Sequence, residues 1–121
     1  MKTHKDLDVW KDSISLVIEI YQALKSYPSD ERYGLVDQMK RSAVSIPSNI
    51  AEGAARHSDK EFIRFLHISL GSLAELETQL IISKELAFIS EESYNIFEQQ
   101  LSNIRKRILG LIKYLKNRLN G

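Results

Sequence analysis

The side chains best equipped for chemistry in this chain are cations near its end and hydroxyls near its middle. Arg105, Lys106, Arg107, Lys113, Lys116 and Arg118 fall within residues 103 to 121 with no Asp or Glu among them. Residues 1 to 102, by contrast, hold 11 Lys and Arg against 16 Asp and Glu. A concentration of ammonium and guanidinium groups can neutralise phosphates, so these six are the candidate contacts to RNA or DNA. On a helix, however, Arg105 and Lys116 share one direction, Lys106 and Lys113 a second, and Arg107 and Arg118 a third. They surround an apolar stripe instead of forming one band, and basic side chains also favour the negative end of a helix dipole. The net charge of +1 gives no general attraction for polyanions.

The second group lies in the run from Gln38 to Gly53. Leu35, Met39, Ala43, Ile46, Ile50 and Ala54 recur at steps of three and four and form a core stripe, while Gln38, Arg41, Ser45, Ser48 and Glu52 make a polar and mostly small opposite side. Pro47 lacks an amide hydrogen and crowds the carbonyl of Ala43, which predicts a bend there and a carbonyl in need of a donor. Ser45, Ser48 and Asn49 are close enough to supply one. Such a bend either carries a ligand or fits the helix round its neighbours. Small residues let another helix approach, so Arg41, Ser45, Pro47, Ser48, Asn49 and Glu52 are candidates for packing or for a subunit contact, Arg41 as an ion pair or hydrogen-bonding group. The alternative for Arg41 is a ligand contact in a lumen or groove.

Catalytic constellations are not legible. There are no cysteines, which removes disulfides, thiolate metal sites and thiol nucleophiles. No Glu has a His three residues later, as a ferritin-like metal site requires, and His4, His57 and His67 have no metal-ligand spacing. Glu75 and Glu77, two apart, point to different sides of a helix. No serine has a local base, and no glycine-rich loop follows a strand. The expectation is a protein without catalytic, cofactor-binding or metal residues.

These side chains must be positioned by helices, because no stretch alternates at period two. Asp6 or Asp8 opens a first helix over about 7–27, with Leu7, Trp10, Ile14, Val17, Tyr21 and Leu24 as its seam and Pro28 as its stop. Val9, Leu16, Ile20, Ala23 and Tyr27 form a second apolar set about a quarter turn away, more than one seam uses. Ser29 caps helix two, about 30–54, with Gly53 as its C-cap residue. Ser58 and Glu61 form a capping box for helix three, about 59–88, with Phe62, Leu66, Leu73, Leu76 and Leu80 as its seam and Ile68, Ile82 and Leu86 as apolar surface beyond it. There Gly71 costs ~1 kcal/mol against alanine and so suggests a neighbour's close approach. Ser90 caps helix four, about 91–119, whose seam is Tyr94, Phe97, Leu101, Ile104, Ile108, Leu111, Leu115 and Leu119. Four helices with short loops predict an all-α, antiparallel up-down-up-down four-helix bundle, kinked in helix two and forming one domain over residues 1–121. No apolar run reaches the roughly 20 residues that span a bilayer, and the start is no signal peptide, so a cytoplasmic protein with no membrane partner is expected.

Several pieces also carry a family likeness: Asp6-Leu7-Asp8-Val9-Trp10, Tyr33-Gly34-Leu35, Ser45-Ile46-Pro47-Ser48-Asn49-Ile50-Ala51-Glu52-Gly53, Glu61-Phe62-Ile63-Arg64-Phe65-Leu66 and Gly71-Ser72-Leu73-Ala74-Glu75-Leu76-Glu77. In order and spacing they resemble the four-helix-bundle family also called 23S rRNA intervening-sequence proteins. The resemblance covers almost the whole chain. It implies an antiparallel four-helix bundle that assembles into a ring, typically a homopentamer, with no known catalytic residue. Some members are encoded inside insertions in ribosomal RNA genes, and others assist a reverse transcriptase. The resulting expectation is a non-catalytic homo-oligomeric ring, the alternative being a nucleic-acid-binding accessory protein that acts through the basic residues of the oligomer.

Overall fold

The computed structural model describes residues 3–121; Met1 and Lys2, included in the range drawn from sequence, lie outside the described residues. Among these, four α-helices are joined by short turns: α1 Asp8–Leu24, α2 Leu35–Ala54, α3 Asp59–Glu85 and α4 Glu91–Asn120. Short 3-10 turns at His4–Asp6 and Ser29–Glu31 precede α1 and α2. Each helix packs on its successor and α4 returns to α1, which is the antiparallel bundle expected. Pro47 lies inside an α2 that continues to Ala54.

Local signals account for most of the ends. Ser58 accepts from the Glu61 amide at 3.2 Å and Ser90 from the Ser93 amide at 3.0 Å, each satisfying a first-turn donor. The capping box at Ser58 is only half made, since the Glu61 carboxylate turns to Arg64 at 3.2 Å. Neither Asp6 nor Asp8 caps α1: Leu7 is its N-cap, and Asp6 instead closes a box with Thr3 in the preceding 3-10 turn. Ser29 is likewise not the cap of α2, because Ser29–Glu31 winds into its own 3-10 turn and the helix starts after Gly34. Helix three ends at Glu85, short of the expected 88. There the Phe88 amide reaches the Ser83 carbonyl at 2.9 Å and the Ala87 amide the Lys84 carbonyl at 3.0 Å, a Schellman closure with Ala87 at φ 63°.

The core takes the expected faces of three helices: Met39, Ala43, Ile46 and Ile50 from α2, Leu66, Leu73, Leu76 and Leu80 from α3, and Leu101, Ile104, Ile108 and Leu115 from α4 are all buried. Each large apolar side chain so buried contributes about 1.5–3 kcal/mol. Helix α1 is turned the other way from the expectation. Val9, Leu16, Ile20 and Tyr27 of the second set are buried, with Ala23 half-buried, whereas of the expected seam Leu24 is buried, Trp10, Ile14 and Val17 are half-buried and Tyr21 is exposed. Ser13 sits within the buried set and donates its hydroxyl to the Val9 carbonyl at 2.7 Å, which makes its burial tolerable.

Gly53 is no C-cap. It is a buried residue inside α2, and a Cβ there would lie 2.8 Å from Phe65 Cβ and 2.9 Å from Phe62 Cδ1. The close approach expected at Gly71 is found at Gly53 instead, since a Cβ on Gly71 would meet nothing of its own chain within 4 Å.

Candidate functional site

The small polar residues of α2 face α3 across a line of hydroxyls. Ser42 donates to Gln79 Oε1 at 2.7 Å, Ser45 and Ser72 share a hydrogen bond of 2.8 Å, and Ser69 donates to the Ile46 carbonyl at 2.9 Å. The Asn49 amide bonds the Ser45 carbonyl and hydroxyl, both at 2.9 Å. Asn49 is therefore turned to Ser45, and Ser45 to Ser72 of α3, not to the Ala43 carbonyl they were expected to serve. Polar pairs fix the height of α2 against α3, because sliding by a turn would strand buried hydroxyls. The sequence reading missed the α3 half of this line. Ser69, Ser72, Gln79 and Ser83 recur at three, seven and four, a polar thread in an otherwise leucine-rich face, and that spacing was the available signal.

The remaining candidates of α2 divide. Pro47 is buried, Ser48 is exposed, and Glu52 pairs with Arg56 of its own helix at 3.0 Å. Arg41 is exposed and pairs with Asp37 one turn back at 3.2 Å. An exposed pair of this kind contributes little.

The basic tail does not form one surface. Arg105 is committed to Glu77 at 3.2 Å, Arg107 to Asp12 at 3.3 Å and Asp8 at 3.7 Å, and Arg118 to both Asp59 oxygens at 2.6 and 2.7 Å. These arginines bind α4 to α1 and α3. The Arg118 guanidinium holds the Asp59 carboxyl below the usual carboxylate range. Lys106, Lys113 and Lys116 are exposed with no acidic partner among the described residues, and Lys106 and Lys113 project in nearly one direction. Lys106 and Arg107 border a polar hollow between α1 and α4 with Asp12, Ser15, Gln100 and Asn103.

Glu77 also has a neighbour that sequence spacing could not supply. Glu98 of α4 approaches it, and burial first, then the hydrogen bond and like charge of Glu77, push the Glu98 carboxyl up. Arg105 offsets this in part. Glu75, by contrast, is exposed on the outer side of α3. Among the described residues no group of three or more His, Asp or Glu is placed to hold a metal ion, and no helix is long and apolar enough to cross a membrane.

Two outer apolar surfaces remain. The first is the groove between α1 and α2, where Trp10, Ile14, Val17, Val44, Pro47 and Ala51 line a hollow of about 250 Å³. It continues past Tyr21 and Lys40, whose Nζ lies 5.1 Å from the tyrosine ring centre. The second is the outer ridge of α3, where Ile68, Ile82 and Leu86 are 40%, 42% and 54% exposed around Gly71. The extra apolar surface expected on helices one and three is present. On α3 it is the predicted Ile68, Ile82 and Leu86; on α1 it is the Trp10 set, because Val9, Leu16 and Ile20 are in the core.

A family profile described as 23S rRNA-intervening sequence protein matches residues 5–110. A solved structure from Bacteroides thetaiotaomicron, described as a protein of unknown function from the S23 ribosomal protein family, superposes with a TM-score of 0.78 at 27% identity. The match covers 87% of this chain and 98% of that one. No curated protein sequence matches the chain.

Proposed function

The chain belongs to the 23S rRNA-intervening sequence protein family, and from that premise we propose that it is a non-catalytic protein that works by assembling with copies of itself into a closed ring. The carrying observation is the apolar surface left outside a completed core. Tyr21 of α1 and Val44 of α2, on the groove, and Ile68 and Ile82 of α3, on the ridge, are 39%, 39%, 40% and 42% exposed. Faces of this kind are characteristic partner sites, and identical copies in cyclic symmetry can cover them all at once. Five copies is the number that the family resemblance implies. Light scattering is the test: five chains of 13.9 kDa would give about 70 kDa. A mass of one chain at micromolar concentration overturns the reading.

A second reading, binding of RNA or DNA as an accessory protein, is favoured by one observation. Lys106, Lys113 and Lys116 are exposed on α4 without an acidic partner among the described residues, and a ring would repeat them on a rim. Arg105, Arg107 and Arg118 contribute less, because each already has a carboxylate. Labelled RNA and DNA titrated at low salt against the parent and a Lys106→Glu, Lys113→Glu variant test it. Loss of binding in the variant with retained fold and mass is expected, and no binding by the parent, or equal binding by both, removes it.

A further inference from the structure

We propose that the outer ridge of α3 in one copy seats in the α1–α2 groove of the next. This rests on the assembly proposed above and specifies which surfaces make it. Glycine inside a helix is unfavourable, and Gly71 has no reason within its own chain, since a Cβ there would meet nothing within 4 Å. It sits bare between Ile68 and Ile82 on the exposed side of α3, where a second surface can come close to the backbone.

Height points to which surface. The Ser45–Ser72 and Ser42–Gln79 hydrogen bonds place Gly71 and Glu75 level with the stretch of α2 around Val44 and Pro47. Rotation about an axis along the bundle leaves height unchanged, so in a ring Gly71 meets the next copy at the level of Val44 and Pro47, which line the hollow of the groove. Charge agrees. Among the described residues Lys40, bordering the groove, has no acidic partner and Glu75, on the ridge, no basic one, and the two stand about one helical turn apart in height. Arg41, on the same rim, is already met by Asp37.

The geometry also closes. The α1–α2 side and the outer α3 side beside α2 are adjacent sides of the four-helix square, about a right angle apart. A head-to-tail contact between such faces turns each copy so that a ring completes after about four or five. Groove against groove, the two-fold alternative, would set hollow on hollow and Lys40 near Lys40.

Because the chain has no cysteine, the contact can be read by crosslinking. A chain carrying both Val44→Cys and Glu75→Cys, treated with a short bis-maleimide, is expected to give a covalent ladder up to the full assembly, whereas either substitution alone gives single chains. Crosslinking of a single-cysteine chain to itself, or no ladder from the double variant of an oligomeric parent, overturns the contact. Gly71→Arg, which enters open space in one chain, is expected to keep its helical circular dichroism and fall to monomer mass; retention of the assembled mass overturns the contact. A parent that is itself a monomer instead overturns the assembly, and Gly71→Arg then leaves its mass unaltered.

Discussion

At the scale of single residues, the glycines and one alanine carry the sharpest consequences. Gly53→Ala places a methyl against Phe62 and Phe65 at distances no real Cβ tolerates, so α2 and the α3 start must part. Overpacking of ~1–3 kcal/mol should outweigh the ~1 kcal/mol that alanine gains in a helix, and Tm should fall. Ala87→Gly should do the reverse. Its φ of 63° is a left-handed position that suits glycine, so the change is expected to add about 0.5–1 kcal/mol and raise Tm. Both effects are read in one thermal melt series. These positions also mark a limit of sequence reading. Gly53 looked like a helix end and Gly71 like a close approach, yet their roles depend on neighbours far away in the chain, which glycine itself does not name. The true left-handed cap is Ala87, whose residue type gives no signal, and the expected α3 overran its end for that reason.

At the scale of helices, partner and height are set by polar side chains between apolar ones. Ser42→Ala leaves the Gln79 side-chain oxygen Oε1 buried without its donor, at a cost of about 1–3 kcal/mol. Adding Gln79→Leu to it should recover part of that loss, because the stranded acceptor leaves with its partner; urea melts of the two single variants and the double variant measure the coupling. Between α3 and α4 the sign of pH dependence differs by site. Glu98 binds its proton more tightly folded than unfolded, so its contribution is present below the ordinary carboxylate value and is lost as pH rises through the raised one. Glu98→Gln should therefore raise Tm at neutral pH, with the gap closing as the parent is acidified. Asp59 and Glu61, held low by Arg118 and Arg64, act oppositely and weaken the fold as pH drops through and below the carboxylate range. Helix existence, the capping serines Ser58 and Ser90, and the faces of α2, α3 and α4 were legible, because each is a local pattern. The face of α1 was not. Its two apolar sets are matched in size, and Ser13, a polar residue on the buried side, satisfies itself against the Val9 carbonyl and so does not mark that side as outward.

At the scale of the whole molecule, the two functional readings respond to salt in opposite ways. The proposed contact is mainly apolar, with Ile68, Ile82, Trp10, Val17 and Val44 at its centre and Lys40 and Glu75 at its rim. Salt shortens the reach of exposed charges to about 3 Å at 1 M, while apolar burial persists. Binding of nucleic acid through Lys106, Lys113 and Lys116 would instead release counterions, and the affinity would fall steeply between about 50 and 200 mM salt. The arginines sharpen this contrast. With Arg105, Arg107 and Arg118 already facing carboxylates, α4 offers few free cations, so a salt slope through this helix would come from its lysines repeated round a ring. Disrupting the ring should then weaken both. We expect the light-scattering mass of the parent to stay constant from low salt to about 1 M, and Gly71→Arg to lose assembly and any nucleic-acid affinity together. An assembly that falls apart as salt rises would place charge pairs, not the α3 ridge in its groove, at the centre of the contact.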